Sequence, residues 1–142
     1  MVGGQPRITI YSKSGRDSTK DRKGLHDTVR LCLGIGTTTC KFKRQCVLTG
    51  ELLVWNDRMR QIMPFYKIRR YVSREGRQLG CGRDSPPCED EHLMIMLYDL
   101  LILDDLLCVH EPHTVRRRRL WATVHRIPGW ADIGHRVKID LR

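Results

Sequence analysis

His92-Leu-Met-Ile-Met-Leu-Tyr-Asp-Leu-Leu-Ile-Leu-Asp-Asp-Leu-Leu107 is the most apolar run of the chain, and whether it folds as helix or strand decides the architecture. The spacing predicts a helix over residues 86–109. Ser85 can cap the first amides, Pro86 suits the first turn, and Glu89, Asp90 and Glu91 complement the positive end of the helix dipole. At about 100° per residue, Leu93, Met94, Ile95, Leu97, Leu100, Leu101, Ile102 and Leu106 cover most of the circumference, so the element is not a one-sided surface helix.

Charge changes sign on either side of this run. Residues 1–83 carry 18 basic and 6 acidic side chains, residues 84–111 none and 8, and residues 112–142 carry 8 and 2. The expected organisation is a single domain, 1–142, with a basic N-terminal part, an acidic-apolar helix and a basic C-terminal part. The net charge of +10 favours anionic partners such as nucleic acid, acidic proteins or anionic lipid, although excess lysine and arginine also solubilise a small domain. Hydrophobic residues make up 40% and aromatics 6%, which predicts a thin core.

No apolar stretch follows Met1, so no secretory signal is expected, and Val2 stands where myristoylation needs glycine. Asp99, Asp104 and Asp105 interrupt the apolar run short of the roughly 20 residues that span a bilayer, so membrane insertion is not expected. The six cysteines should then stay reduced in cytosol or nucleus.

Outward from the central run, the pattern predicts short strands at 7–11, at 46–55 as a pair about Thr49-Gly50, at 65–72 after Pro64, at 119–125 and at 135–141, with a Pro128-Gly129 turn. A short helix over 25–33 ends at Gly34 and Gly36, and Arg74-Glu-Gly-Arg77 reads as a turn. The fold class is α+β: a small single domain of several short strands with one main apolar helix near 86–109.

Candidate chemistry is sparse. Cys108, His110 and His113, together with Cys88 and His92 spaced i, i+4 on the expected helix, offer zinc ligands but lack the paired CxxC spacing of a structural site. No cofactor is expected, with zinc as the alternative. No cysteine or serine has a recognisable nucleophile setting, and Gly34-Ile-Gly36 followed by Thr37-Thr-Thr39 lacks the lysine of a phosphate-binding loop. Asp104 and Asp105 are adjacent, so on a helix they diverge and form no catalytic dyad.

Basic clusters are more prominent. Lys41, Lys43, Arg44, Arg69 and Arg70 lie near Phe42, Trp55, Tyr66 and Tyr71, a mixture that suits phosphate neutralisation with base stacking. Arg116, Arg117, Arg118 and Arg119 form the kind of run that nuclear import receptors read. Leu93, Leu97, Leu100 and Ile102 have the spacing of a leucine-rich export signal, against the plainer reading of core residues.

Small size, basic charge, few aromatics and unpatterned cysteines look like a viral accessory protein. The stretch Gly76-Arg-Gln-Leu79, within Arg74-Glu-Gly-Arg-Gln-Leu79, resembles a basic import stretch in the small nonstructural nuclear-shuttling protein of fusogenic orthoreoviruses. That resemblance implies a second import element at Arg74 and Arg77, and a shuttle between nucleus and cytoplasm of a host cell that alters its regulation without catalysis. The expected function is therefore a non-enzymatic regulatory protein, with host transport receptors or regulatory proteins as partners and self-association through the apolar helix. The alternative is a basic nucleic-acid-binding module of low sequence specificity.

Overall fold

The structure, a computed structural model, describes residues 6–74, 77–78, 88–137 and 139. Its order is α1 (His26–Cys32), β1 (Cys46–Asn56), β2 (Gln61–Ile62), β3 (Ser73–Arg74), β4 (Arg77–Gln78), β5 (Glu91–Leu103), β6 (Leu106–Leu107), α2 (His113–Thr123) and β7 (Ala131–Ile133), with short 3-10 turns at 23–25, 65–70 and 108–110. The α+β class is therefore as expected, but its parts are differently placed.

The decisive run is a strand. β5 pairs antiparallel with β1 along the whole of both, with β6 near its C-terminal end, and in parallel with β7 through Ile95–Leu97. A central strand needs apolar groups on both faces, and the all-round apolarity that a helical wheel leaves unexplained is what such a strand presents. Leucine and methionine are good helix formers, and their intrinsic preference is overridden here by pairing and burial. Leu93, Leu97 and Leu100 face the core at 5%, 3% and 0% exposure. Ile102 is half-buried.

Two β-bulges interrupt the β1–β5 ladder. Gly50 pairs with Leu97 and Thr49 with Asp99, leaving Tyr98 as an extra residue; Leu48 pairs with Leu100 and Val47 with Ile102, leaving Leu101. The expected break at Thr49-Gly50 is thus a bulge inside one continuous strand. Gly50 is required there, because a Cβ would stand 2.7 Å from the Met96 carbonyl oxygen.

Other segments also depart from the sequence pattern. Residues 65–70, expected as strand, are a 3-10 turn in which the Lys67 amide donates to the Pro64 carbonyl at 3.1 Å and the Tyr71 amide to Ile68 at 2.9 Å. This winding buries Ile68 and turns both Lys67 and Arg70 toward Glu91, since residues i and i+3 eclipse in 3-10 geometry. The strand expected at 119–125 is the end of α2, which starts after Pro112 and sets Leu120 and Val124 one turn apart in the core. Residues 7–11 make only an isolated bridge, Tyr11 to Asp17. Residues 134–137 lie outside any strand, and the rest of the strand expected at 135–141, apart from 139, lies outside the described residues. The helix at 25–33 is borne out by α1, with Gly34 at φ +62 just past it, and so is the turn at Pro128-Gly129.

Two buried clusters result. One joins Cys32 and Leu33 after α1, Leu97 and Leu100 of β5, Leu120 and Val124 around α2, and Ala131 and Ile133 of β7. The other gathers Val54, Ile68, Val72 and Leu93. At its edge Glu91, 6% exposed, accepts Lys67 Nζ and the Tyr71 hydroxyl, the latter at 3.0 Å. Burial alone would raise its pKa, but these hydrogen bonds outweigh burial and hold it below the usual carboxylate range.

Candidate nucleotide and nucleic-acid surface

Successive residues of a strand face opposite ways. Leu97 and Ile95 face the core, so Met96 and Tyr98 face outward, and Glu51, paired with Met96, shares that outer face. One end of the face is covered: Trp130 stacks on His92 with centroids 3.5 Å apart, and Gly129 lies against the Trp55 ring. The other end is open. Glu51 is exposed and Tyr98 is 45% exposed. Glu51 opposes Met96, two residues before Tyr98 and next to the bulge, so both exposed side chains belong to the same stretch of the sheet. Tyr98 is the extra residue of the bulge, and bulges are common beside functional sites.

The sheet continues sideways into a second feature. Gly134 follows β7 and packs 3.7 Å from the Tyr98 Cβ, measured from the position its own Cβ would take. Its carbonyl accepts Arg117 Nη2 at 2.7 Å. Beyond it, Thr114, Arg117, Arg118 and Trp121 of α2, spaced i, i+3, i+4 and i+7 on one helix face, line a cleft of about 230 Å³ with Arg136. Trp121 is 49% exposed and carries the Arg126 guanidinium 5.1 Å from its ring centroid.

The arginine run expected as one basic patch is divided by the helix. Arg116 binds Asp99 through two nitrogens at 2.9 and 3.0 Å, and that pairing holds the Asp99 carboxyl below its usual range. Arg119 grips Glu111 twice at 2.6 Å. Arg117 is buried at 8% exposure against the Gly134 carbonyl. Only Arg118 of the four has no hydrogen-bond or ion-pair partner among the described residues.

The remaining candidates are scattered. The amides of Lys43 and Arg44 bind the Asp104 carboxylate, whose backbone is at φ +52, and the Arg44 side chain pairs with Asp105. Lys41 and Arg69 are exposed, whereas Arg70 is turned onto Glu91. Lys41, Lys43 and Arg44 therefore belong to a loop and Arg69 and Arg70 to a separate 3-10 turn. Arg74 and Arg77 pair through their backbones in the β3–β4 hairpin, and nothing is described of their side chains. Cys88 is exposed beside Tyr71, Cys108 lies in the core, His92 is stacked under Trp130, and His110 and His113 are exposed. No group of three His, Cys, Asp or Glu that could hold a metal occurs among the described residues.

Glu51, Tyr98, Thr114 and Arg136 were not among the sequence candidates. Gly50 was the available signal, since an isolated glycine in a strand marks a bulge or a close approach.

The basic α+β domain thus sets an open sheet face carrying a carboxylate and an aromatic beside a cleft lined by arginines. The chain belongs to the ATP dependent DNA ligase domain family, whose model matches residues 3–140. Comparison with curated proteins gave no match. The family assignment overturns both the resemblance to the orthoreovirus shuttle and the non-enzymatic regulatory function built on it: the family is one of enzymes that join DNA at the expense of ATP. Host transport receptors lose their support, and nucleic acid, the alternative reading, is the partner the family implies. ATP is the cofactor the family's description implies, where none, or zinc, was expected. No helix among the described residues is long and apolar enough to cross a membrane.

Proposed function

We propose that this chain supplies part of the nucleotide- and DNA-contacting surface of an ATP-dependent DNA-joining enzyme. The observation that carries the reading is the open end of the outer sheet face, where Glu51 and Tyr98 are both exposed next to the bulge, within a chain matched to that family over residues 3–140.

The two side chains fit a nucleoside. An exposed phenol ring offers a face on which a base stacks, and a carboxylate accepts hydrogen bonds from ribose hydroxyls, as acidic residues do in other nucleotide sites. A magnesium ion is held by one or two carboxylates together with substrate phosphates rather than by an all-protein cage, so the lone Glu51 carboxylate suits that arrangement without a three-residue cluster. When bound, ATP supplies the free energy to convert a phosphate monoester at a strand end into the diester that joins it to a hydroxyl.

The chain's own residues bind and orient. Gly50 permits the close approach of β1 to β5 at the bulge, and Trp130 stacks on His92 at the far end of the face. β1 and β5 contain no lysine or arginine, so phosphate charge is met from outside these two strands. Calorimetric titration with ATP and magnesium tests the reading. Tyr98→Ala should weaken binding about 5- to 100-fold, the range of a lost base–aromatic stack, and Glu51→Gln should weaken it less. Unchanged affinity in both variants contradicts it.

A further inference from the structure

Among the described residues, the cleft on α2 is lined by three arginines and no acid. Thr114, Arg117, Arg118 and Trp121 line one side and Arg136 closes the other. Nearby arginines are neutralised: Arg116 of α2 has Asp99, Arg119 of α2 has Glu111, and Arg126 beyond the helix has Asp132. In the cleft that pattern stops. Arg118 and Arg136 are exposed with no ion-pair partner among the described residues. Arg117 is buried at 8% exposure, and the partner recorded for it is the Gly134 carbonyl, a neutral acceptor. A buried cation without a counter-charge is costly unless an anion completes the site.

The shape narrows the anion. A volume of about 230 Å³ lies below the roughly 300–1,000 Å³ of sites that enclose a whole drug-sized ligand and accommodates a single phosphate group, the rest of its molecule lying outside the cleft. Guanidinium forks are suited to phosphate oxygens, and the Thr114 hydroxyl adds a neutral donor. Trp121, 49% exposed and steadied by Arg126 over its ring, presents an aromatic edge beside the phosphate position, as expected where a sugar or base follows. The cleft adjoins the sheet through Gly134, whose amide donates to the Leu97 carbonyl of β5 at 2.8 Å and whose carbonyl accepts Arg117.

We propose that Thr114, Arg117, Arg118, Trp121 and Arg136 form a binding site for a backbone phosphate of the DNA strand. The choice of DNA as the source of that phosphate rests on the DNA-joining reading above.

The test is fluorescence anisotropy of a labelled nicked duplex titrated with the chain across a range of salt, beside separate titrations with ATP and with tripolyphosphate. Arg118 and Arg136 are on the surface, so R118A/R136A should leave the circular dichroism spectrum unchanged. Each phosphate contact contributes about 0.9 to the log–log salt slope; the double variant should lower that slope by about one and weaken DNA binding about 10- to 100-fold at low salt, with ATP binding unaltered. A control, R58A/R60A, removes two other exposed arginines and should change the slope by less. Equal losses in both double variants overturn the site in favour of diffuse charge. Loss of ATP and tripolyphosphate binding with DNA binding retained overturns the choice of DNA. A wild-type chain that binds no DNA at any salt overturns the DNA-joining reading itself, whereas wild-type binding that R118A/R136A leaves untouched overturns this site alone.

Discussion

Replacing Leu100 by Ala probes the position of β5 in the core. Leu100 is fully buried in the cluster that joins β5, β7 and the helices, and the change deletes three carbons. At about 0.8 kcal/mol per buried methylene the transfer loss is about 2.4 kcal/mol. Incomplete collapse leaves a cavity; at about 24 cal/mol per Å³, a residual void of roughly 60 Å³ adds about 1.5 kcal/mol. The total, about 4 kcal/mol, is a large share of the 5–15 kcal/mol that holds an ordinary domain together and corresponds to a fall in Tm of roughly 10–15 °C. Leu107, 51% exposed on β6, is the matched control, and its change to Ala should stay within about 0.5 kcal/mol. Urea and thermal unfolding followed by circular dichroism read both. A loss below about 1 kcal/mol for Leu100→Ala, or equal losses for the two leucines, would refute the strand register and the core built on it.

Gly50→Ala should destabilise by about 1–3 kcal/mol through overpacking, because its Cβ would meet the Met96 carbonyl oxygen at 2.7 Å; Gly36→Ala, where nothing lies within 4 Å but φ is positive, should cost about 1 kcal/mol from backbone strain alone. The Asp99 pKa is depressed by Arg116, so its pairing stabilises fully above the ordinary carboxylate pKa of about 4 and is lost as pH falls through the lower folded value. Asp99→Asn should therefore reduce the loss of stability on acidification, seen by unfolding between about pH 5 and pH 2. Burial pushes the Cys32 thiol up to about 11 and the Cys46 thiol up to about 12. With maleimide at pH 8, mass-mapped labelling should reach exposed Cys88 well before either, and prompt labelling of Cys46 would contradict its placement.

The class of fold was legible because turn chemistry is local. Gly34 sits at φ +62 after α1 and Gly129 at φ +78 in its turn, as their positions in the sequence suggested. The central strand was not legible, for Leu and Met satisfy a helical wheel and a doubly buried strand alike, and the caps at Ser85 and Pro86 sharpened the wrong alternative. α2 was hidden by its own charge: four arginines mask the Leu120–Val124 stripe that fixes it to the core. The arginines drew notice as a block, but a helix turns each by about 100°, so Arg116 and Arg119 serve internal ion pairs while Arg117 and Arg118 line the cleft. Glu51 and Tyr98 share one stretch of the sheet only through the β1–β5 register, a long-range pairing that no local pattern encodes.

Photocrosslinking with 8-azido-ATP, followed by peptide mass mapping, tests most directly whether the open sheet face receives the nucleotide. The account predicts label on the β5 peptide containing Tyr98, suppressed by excess ATP and strongly reduced in Tyr98→Ala. Label confined to peptides away from β1 and β5, or label on β5 that excess ATP does not displace, would contradict it.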